Sequence, residues 1–189
     1  MNDQLSKYIR DRVDIDDEQL AVVLSYFNPL SIKKKALVTM EGNRARRMYF
    51  VVKGCLRVYF VKPDGAEVTR RFAFENWFST SLVSFINGEP LTESTQAIED
   101  SELLYITRDD FYALLEIVPS WAKFYQKYLE YAYVTNTNRL QSLVTLDAAE
   151  RYKLLLSENP EIVLRLPNKL VANYLNISQE ALSRLKSKI

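Results

Sequence analysis

Apolar positions change their period twice along the chain, from helical to alternating and back. In residues 1–30, Val13, Leu20, Val23, Leu24 and Phe27 recur at the spacing of one helix face, and Pro29 is expected to close that helical segment. From Ser31 the pattern shortens to strand-sized runs rich in β-branched and aromatic residues. These are Ala36–Met40 before Gly42, Met48–Val52 before Gly54, Cys55–Val61 before Pro63-Asp64-Gly65, then Glu67–Phe74 and Leu103–Ile106. Short runs punctuated by Gly and Pro predict an antiparallel barrel or sandwich. Lys62-Pro63-Asp64-Gly65 is expected to form a hairpin turn, because the Pro63 ring presets φ and Gly65 accepts positive φ.

The helical period returns at Asp109. Pro119-Ser120 opens a long segment bearing Trp121, Phe124, Tyr125, Tyr128, Leu129, Tyr131, Tyr133, Val134, Leu140 and Leu143 on more than one stripe. A helix that is apolar on two faces has to be buried twice, once against its own barrel and once against something else. A second subunit supplies that burial in a two-fold dimer, with Trp121, Tyr125, Tyr128 and Tyr131 as the seam. A helix swallowed by a single core is the alternative. Residues 146–189 are helical in pattern, broken at Asn159-Pro160 and at Leu166-Pro167-Asn168. The expected class is α+β, in three parts: 1–117, a β-roll with an N-terminal helix; 118–145, a long dimerisation helix; and 146–189, a small helical domain.

Within that last part, Lys169–Lys186 has the requirements of two short helices crossing through a tight turn. Ala172 is small where the second helix must approach, and Asn176 sits at the turn, where positive φ is expected and Asn is well tolerated. Val171, Leu175, Ile177, Leu182 and Leu185 are apolar where the helices would meet. Ser178 suits an N-cap and Glu180 places an acid in the first turn. The second helix would then expose Gln179, Glu180, Ser183, Arg184, Lys186 and Lys188. Arg can donate bidentately to guanine, Gln can pair with adenine, and Glu can accept from cytosine. Ser178, Lys186 and Lys188 suit phosphates, and Lys169 is a further candidate DNA contact. An ordinary helical hairpin with a solvated charged face would share this pattern.

Charge and composition narrow the field. Net charge is +1, but Lys169–Ile189 holds four basic residues (Lys169, Arg184, Lys186, Lys188) against Glu180, a local +3. The chain has no histidine, the commonest metal ligand and the usual base near neutral pH. Triad hydrolases, zinc hydrolases and histidine-ligated haem are thereby disfavoured, as is a metal-dependent barrel enzyme. A single cysteine, Cys55, provides neither a disulfide framework nor an iron–sulfur ligand set. No metal, no cofactor and no enzymatic activity are expected. Met1–Lys7 lacks the apolar run of a secretion signal, and no stretch is long enough to span a bilayer, so a cytoplasmic protein is expected.

Taken together, the order of segments resembles the Crp/Fnr (catabolite activator protein-like) superfamily of bacterial regulators. The residues that carry the resemblance are Gly42, Tyr49-Phe50-Val51-Val52-Lys53-Gly54-Cys55-Leu56-Arg57-Val58-Tyr59, Pro63-Asp64-Gly65, the hinge-like Leu143–Tyr152, and the helix-turn-helix, with Asn176 at the usual turn glycine. The resemblance implies a cyclic-nucleotide-binding-domain-like jelly roll, a dimer helix, and a helix-turn-helix that binds double-stranded DNA.

One part of the family pattern is missing. Members that bind cyclic nucleotides carry Gly-Glu at a short helix start and Arg-Ser or Arg-Thr about ten residues on. Here Ser79-Thr80 stands at the first position and Leu91-Thr92 at the second, with Glu93 bringing a negative charge beside them. Gly88-Glu89 has no arginine at the right distance; the next basic residue is Arg108. A phosphate pocket without its arginine leaves a buried charge unpaired, so cyclic AMP is not expected as ligand. A roll with no cassette and an aromatic-rich Phe74–Phe78 segment is similar to Bacteroidetes-type members, although core packing alone would explain Trp77 and Phe78. An effector the residues do not name, RNA polymerase and a homodimer partner are the further partners this implies. The competing reading is a ligand- or protein-binding roll whose helix-turn-helix, without a wing after it, no longer reads DNA.

Overall fold

The computed structural model describes residues 2–187, and the candidate contact Lys188 lies outside the described residues. The first thirty residues do not form one helical segment. They make α1 (Asn2–Arg10) and α2 (Asp17–Ser25), separated where the Asp16 carboxylate accepts the Gln19 N–H at 2.7 Å and caps α2. Pro29 does not end a helix; it lies in β1 (Asn28–Ile32). That strand is at the edge of its sheet, where a residue without an N–H costs no ladder bond.

The middle of the chain carries β2 (Leu37–Thr39), β3 (Arg47–Lys53), β4 (Leu56–Val61), β5 (Glu67–Ala73), β6 (Phe78–Ser79), α3 (Leu82–Asn87), β7 (Ser94–Ala97) and β8 (Ser101–Thr107). Five of these strands fall on the runs read from the sequence. β1, β6 and β7 do not, being too short or too polar to show an apolar alternation. The strands form two four-stranded sheets, ordered β1-β8-β3-β6 and β2-β7-β4-β5. In the first, β8 lies antiparallel to both β1 and β3, with Tyr105 opposite Asn28 on one side and Tyr49 on the other. The hairpin between β4 and β5 turns as expected: Gly65 has φ +82° and its N–H donates to Lys62 O at 2.9 Å.

Four helices follow the roll's last strand as α4 (Arg108–Ile117), α5 (Pro119–Thr145), α6 (Ala148–Glu158) and α7 (Pro160–Arg165), and two more as α8 (Asn168–Leu175) and α9 (Gln179–Lys186). The described residues fall into two compact units, cut at Val58/Tyr59, Arg71/Phe72 and Glu130/Tyr131.

Among the described residues of the first unit, β3 contributes to two cores. Its Met48, Phe50 and Val52 join a cluster with Leu5, Ile9, Phe111, Trp121 and Phe124 from the helices, while Tyr49 and Val51 join Leu56, Ala97 and Leu103. Successive strand residues point to opposite faces, so a strand buried on both reads as a continuous apolar run. Rings dominate the helix-side cluster: Trp121 stacks on Phe124 with centroids 4.8 Å apart, and Phe50 and Phe78 meet at 5.1 Å. Phe78 is a core side chain and Trp77 packs against the second cluster, which accounts for that aromatic segment by packing.

The second unit combines the 59–71 hairpin with residues from Tyr131 onward. Tyr152, Leu155, Ile162, Leu166, Val171, Ala172, Leu175 and Leu182 are its buried apolar side chains from α6 to α9.

Candidate nucleic-acid interface

The candidate interface is set up by a series of helix ends. Asp147 opens α6 through a capping box: its carboxylate accepts the N–H groups of Ala149 and Glu150 at 2.8 and 2.9 Å, and the Glu150 carboxylate accepts the Asp147 N–H at 2.8 Å. Pro160 begins α7 at the position where its missing N–H costs nothing. After Pro167, α8 presents Val171, Ala172 and Leu175 inward, all buried.

At the turn, Asn176 takes φ 55°, ψ 47°, the left-handed conformation expected for it. Its N–H closes α8 on Asn173 O at 3.2 Å, and the Ile177 N–H bonds Ala172 O at 3.0 Å. Ser178 then caps α9, its hydroxyl oxygen accepting the Ala181 N–H at 3.1 Å. Leu182 is buried against α8, and Ile177 and Leu185 are half-buried. A hydrogen bond from the Ser178 side chain holds the exposed Glu180 carboxyl below its ordinary pKa.

These constraints leave Ser178, Gln179, Glu180, Ser183 and Arg184 exposed along α9, and Lys169 exposed on α8. Lys186 is half-buried and its ammonium donates to the Asn168 Oδ1 at 2.6 Å, so it ties the two helices together. Two further residues escaped the sequence reading. Asn173 on α8 bonds the backbone of β5 with both ends of its amide. Arg139 donates to the Tyr174 carbonyl and lies 3.9 Å over the Tyr174 ring, and burial keeps its pKa below the usual guanidinium value. Nothing local in the sequence signals either pairing, since the partners lie 104 and 35 residues away.

The residues expected along a dimer seam separate into two groups. Trp121 is 0% exposed and Tyr128 6%, both in the core of the first unit, with Tyr125 packed against it. Trp121 has no exposed surface to offer a partner and Tyr128 has little, so both serve the core of the first unit. Tyr131 is exposed, and in the second unit Tyr133, Val134, Leu140, Leu143 and Val144 are exposed with it on the same helix. Tyr133, Thr137, Leu140 and Val144 follow one another at four-, three- and four-residue steps, the spacing of a coiled-coil seam.

In the roll, Ser79, Thr80, Leu91 and Glu93 are buried and Thr92 is exposed. The Thr80 hydroxyl donates to Arg47 O at 3.1 Å, and Leu91 is pinned to the 42–43 turn by bonds of 2.6 and 2.9 Å. Gly88 is the left-handed cap of α3 at φ 73°, a structural use of the Gly88-Glu89 pair. Among the described residues no three metal-binding side chains gather, and no helix is long and apolar enough to cross a membrane.

Comparison with known proteins fits this architecture. Residues 29–117 match the cyclic nucleotide-binding domain family. FixK2 from Bradyrhizobium japonicum superposes with a TM-score of 0.74 at 19% identity, over 86% of this chain and 83% of that one. CLP of Xanthomonas campestris, described as a c-di-GMP responsive global regulator, gives 0.72 at 18% identity over 92% and 91%. A protein of Eubacterium rectale described as a regulator of the crp/fnr family gives 0.70 at 16% identity over 91% and 82%. Human patatin-like phospholipase domain-containing protein 6 is 30% identical over 88 residues, which are 47% of this chain but only 6% of that protein. Residues 29–117 thus match the cyclic nucleotide-binding domain family, and the chain shares the fold of the solved structures described above.

Proposed function

We propose that this chain is a cytoplasmic, dimeric transcription regulator of the Crp/Fnr type, whose helix-turn-helix reads double-stranded DNA and whose roll does not answer to cyclic AMP. The observation that carries the reading is α9: capped by Ser178, it leaves Gln179, Glu180, Ser183 and Arg184 exposed at and after its N-terminus. Those are the positions from which a recognition helix reaches base edges. On this reading Lys169 and Ser178 contact phosphates, and Lys186, which holds α9 against α8, offers its remaining donors.

On this reading residues 1–117 sense, 118–145 dimerise and 146–189 bind DNA. The exposed Tyr133–Val144 stripe supports dimerisation, because apolar side chains at seam spacing on a helix are costly to leave in water. The absence of a cyclic AMP response is supported by Leu91, buried at the position to which the resemblance assigns a phosphate-binding arginine, and by Glu93, buried beside it. RNA polymerase is the partner an activator of this type would meet.

Selection of bound sequences from random duplex DNA by the purified chain tests the proposal. A pseudo-palindrome is expected, with half-sites about one helical turn apart, ~34 Å. A monomer that enriches no sequence overturns it, and an effector bound by such a protein would make the roll a ligand- or protein-binding module instead.

A further inference from the structure

A cleft of about 720 Å³ opens in the first unit between the 44–47 segment, the end of α3 and the start of α4. Its lining holds four arginines (Arg44, Arg46, Arg47 and Arg108) and one carboxylate, Asp109. The whole chain has a net charge of only +1, so this is a strong local concentration of positive charge.

None of the four guanidiniums forms an ion pair among the described residues. Three are held by neutral groups. Arg108 donates from Nε to Phe85 O at 2.6 Å and from Nη2 to Ile86 O at 3.0 Å, and lies 4.8 Å over the Tyr112 ring. Arg44 donates to Gly88 O, and a β-bridge between Arg44 and Pro90 fixes its backbone. Arg47 lies 4.2 Å over the Tyr105 ring. Carbonyls and rings fix these side chains without neutralising them. Arg46 is exposed, and its side chain makes no bond among the described residues; its carbonyl accepts the Arg108 N–H at 2.8 Å.

A purely structural role accounts for Arg44 and Arg108, which close the last carbonyls of α3. It leaves Arg46 unexplained, since the Tyr49 hydroxyl and the Tyr105 ring engage Arg47, and four like charges lining one cleft repel one another unless an anion enters. We propose that this cleft binds a small molecule bearing two or more phosphate groups. Planar guanidiniums fixed in advance suit phosphate oxygens, which they bond in pairs. The volume is in the range of pockets for ligands of that size, roughly 300–1,000 Å³. The site stands apart from Ser79, Thr80 and Leu91 of the degenerate cassette, and it does not depend on the chain binding DNA.

Calorimetric titration of the full chain with inorganic tripolyphosphate, at about 0.1 M salt, tests the site. One saturable site is expected, weakened about tenfold by Arg46→Ala and further by Arg46→Ala with Arg47→Ala. Arg46→Ala should melt like the parent, and Lys123→Ala, an exposed lysine elsewhere on the first unit, should bind like it. Absence of saturable binding, or binding untouched by Arg46→Ala, overturns the proposal. So does a random-sequence duplex whose binding depends on Arg46 while tripolyphosphate binding does not, for then the cleft grips a nucleic-acid backbone.

Discussion

The Asn173 side chain accepts the backbone N–H of Thr69 at 2.6 Å, joining α8 to the second strand of the 59–71 hairpin within one compact unit. The other end of the same amide donates to Glu67 O at 2.6 Å. Asn is the right residue for this, since it offers one acceptor and one donor to an extended backbone. Thr69 is only 3% exposed, so water does not easily replace the lost partner. Asn173→Ala is expected to cost about 1–3 kcal/mol in urea unfolding. Asn173→Asp keeps the acceptor but turns an oxygen toward the Glu67 carbonyl, so its loss should also be measurable. A variant as stable as the parent would show that the bridge contributes nothing.

Gly54 is the turn between β3 and β4, and its φ of +100° is one that L side chains rarely adopt. A Cβ there would lie 2.3 Å from the Ser101 Oγ and 2.9 Å from the Asp100 carbonyl oxygen. The Ser101 hydroxyl could swing aside, losing its bond to Glu99 O at 2.8 Å, but the carbonyl belongs to the backbone. Gly54→Ala should therefore cost at least the strain of the conformation, about 1–3 kcal/mol, read as a lower urea midpoint. Gly65→Ala, with nothing near its Cβ, should lose less.

These two sites show what a sequence displays and what it hides. Gly54 ends an apolar run and precedes another, so a turn was legible there; Asn176 and Ser178 were legible for the same reason, because the chemistry of a turn and a cap is local. The long strands were readable because β3 and β8 are apolar over most of their length. β1, β6 and β7 were not, since two to five residues cannot display a period and Pro29 resembled a helix stop. The double duty of aromatic residues on α5 misled for another reason. Apolar character says that a side chain is buried but not against what, and only packing assigns Trp121 to the core and leaves Tyr133 outside it. Arg46 and Arg47 lie some sixty residues before Arg108, and nothing but the fold brings the three to one cleft.

Stability should fall on the alkaline side. Burial raises the hydroxyls of Tyr49, Tyr125, Tyr152 and Tyr174 above the ordinary value of 10.0. Below that value both folded and unfolded chains keep the protons, and these groups give no pH dependence. Above it the unfolded chain ionises first and holds fewer protons than the folded one, so stability drops as pH rises. Urea midpoints should be flat for these groups up to about pH 10 and then decline, with tyrosinate absorbance appearing as the chain unfolds. Tyr49→Phe and Tyr125→Phe should each flatten the decline; an unchanged slope in both would remove these tyrosines as its cause.

Arg184 and Lys169 should fail differently on DNA, if α9 reads bases as proposed. Arg184 is exposed on α9 and makes no side-chain bond within the described protein, so its five donors are available to a base edge. Arg184→Ala is expected to relax preference at one position of each half-site, with discrimination there falling by about 1–3 kcal/mol. Lys169 is exposed on α8, outside the recognition helix, and suits a phosphate. Its replacement by Ala should weaken all duplexes alike and lower the slope of log affinity against log salt by about one. Lys186→Ala is a third case, because it also severs the 2.6 Å bond to Asn168 that holds α9 to α8. Its loss should combine weaker binding with a lower unfolding midpoint, whereas neither Arg184→Ala nor Lys169→Ala should move that midpoint. Equal, sequence-independent losses for all three would mean that α9 touches only the DNA backbone.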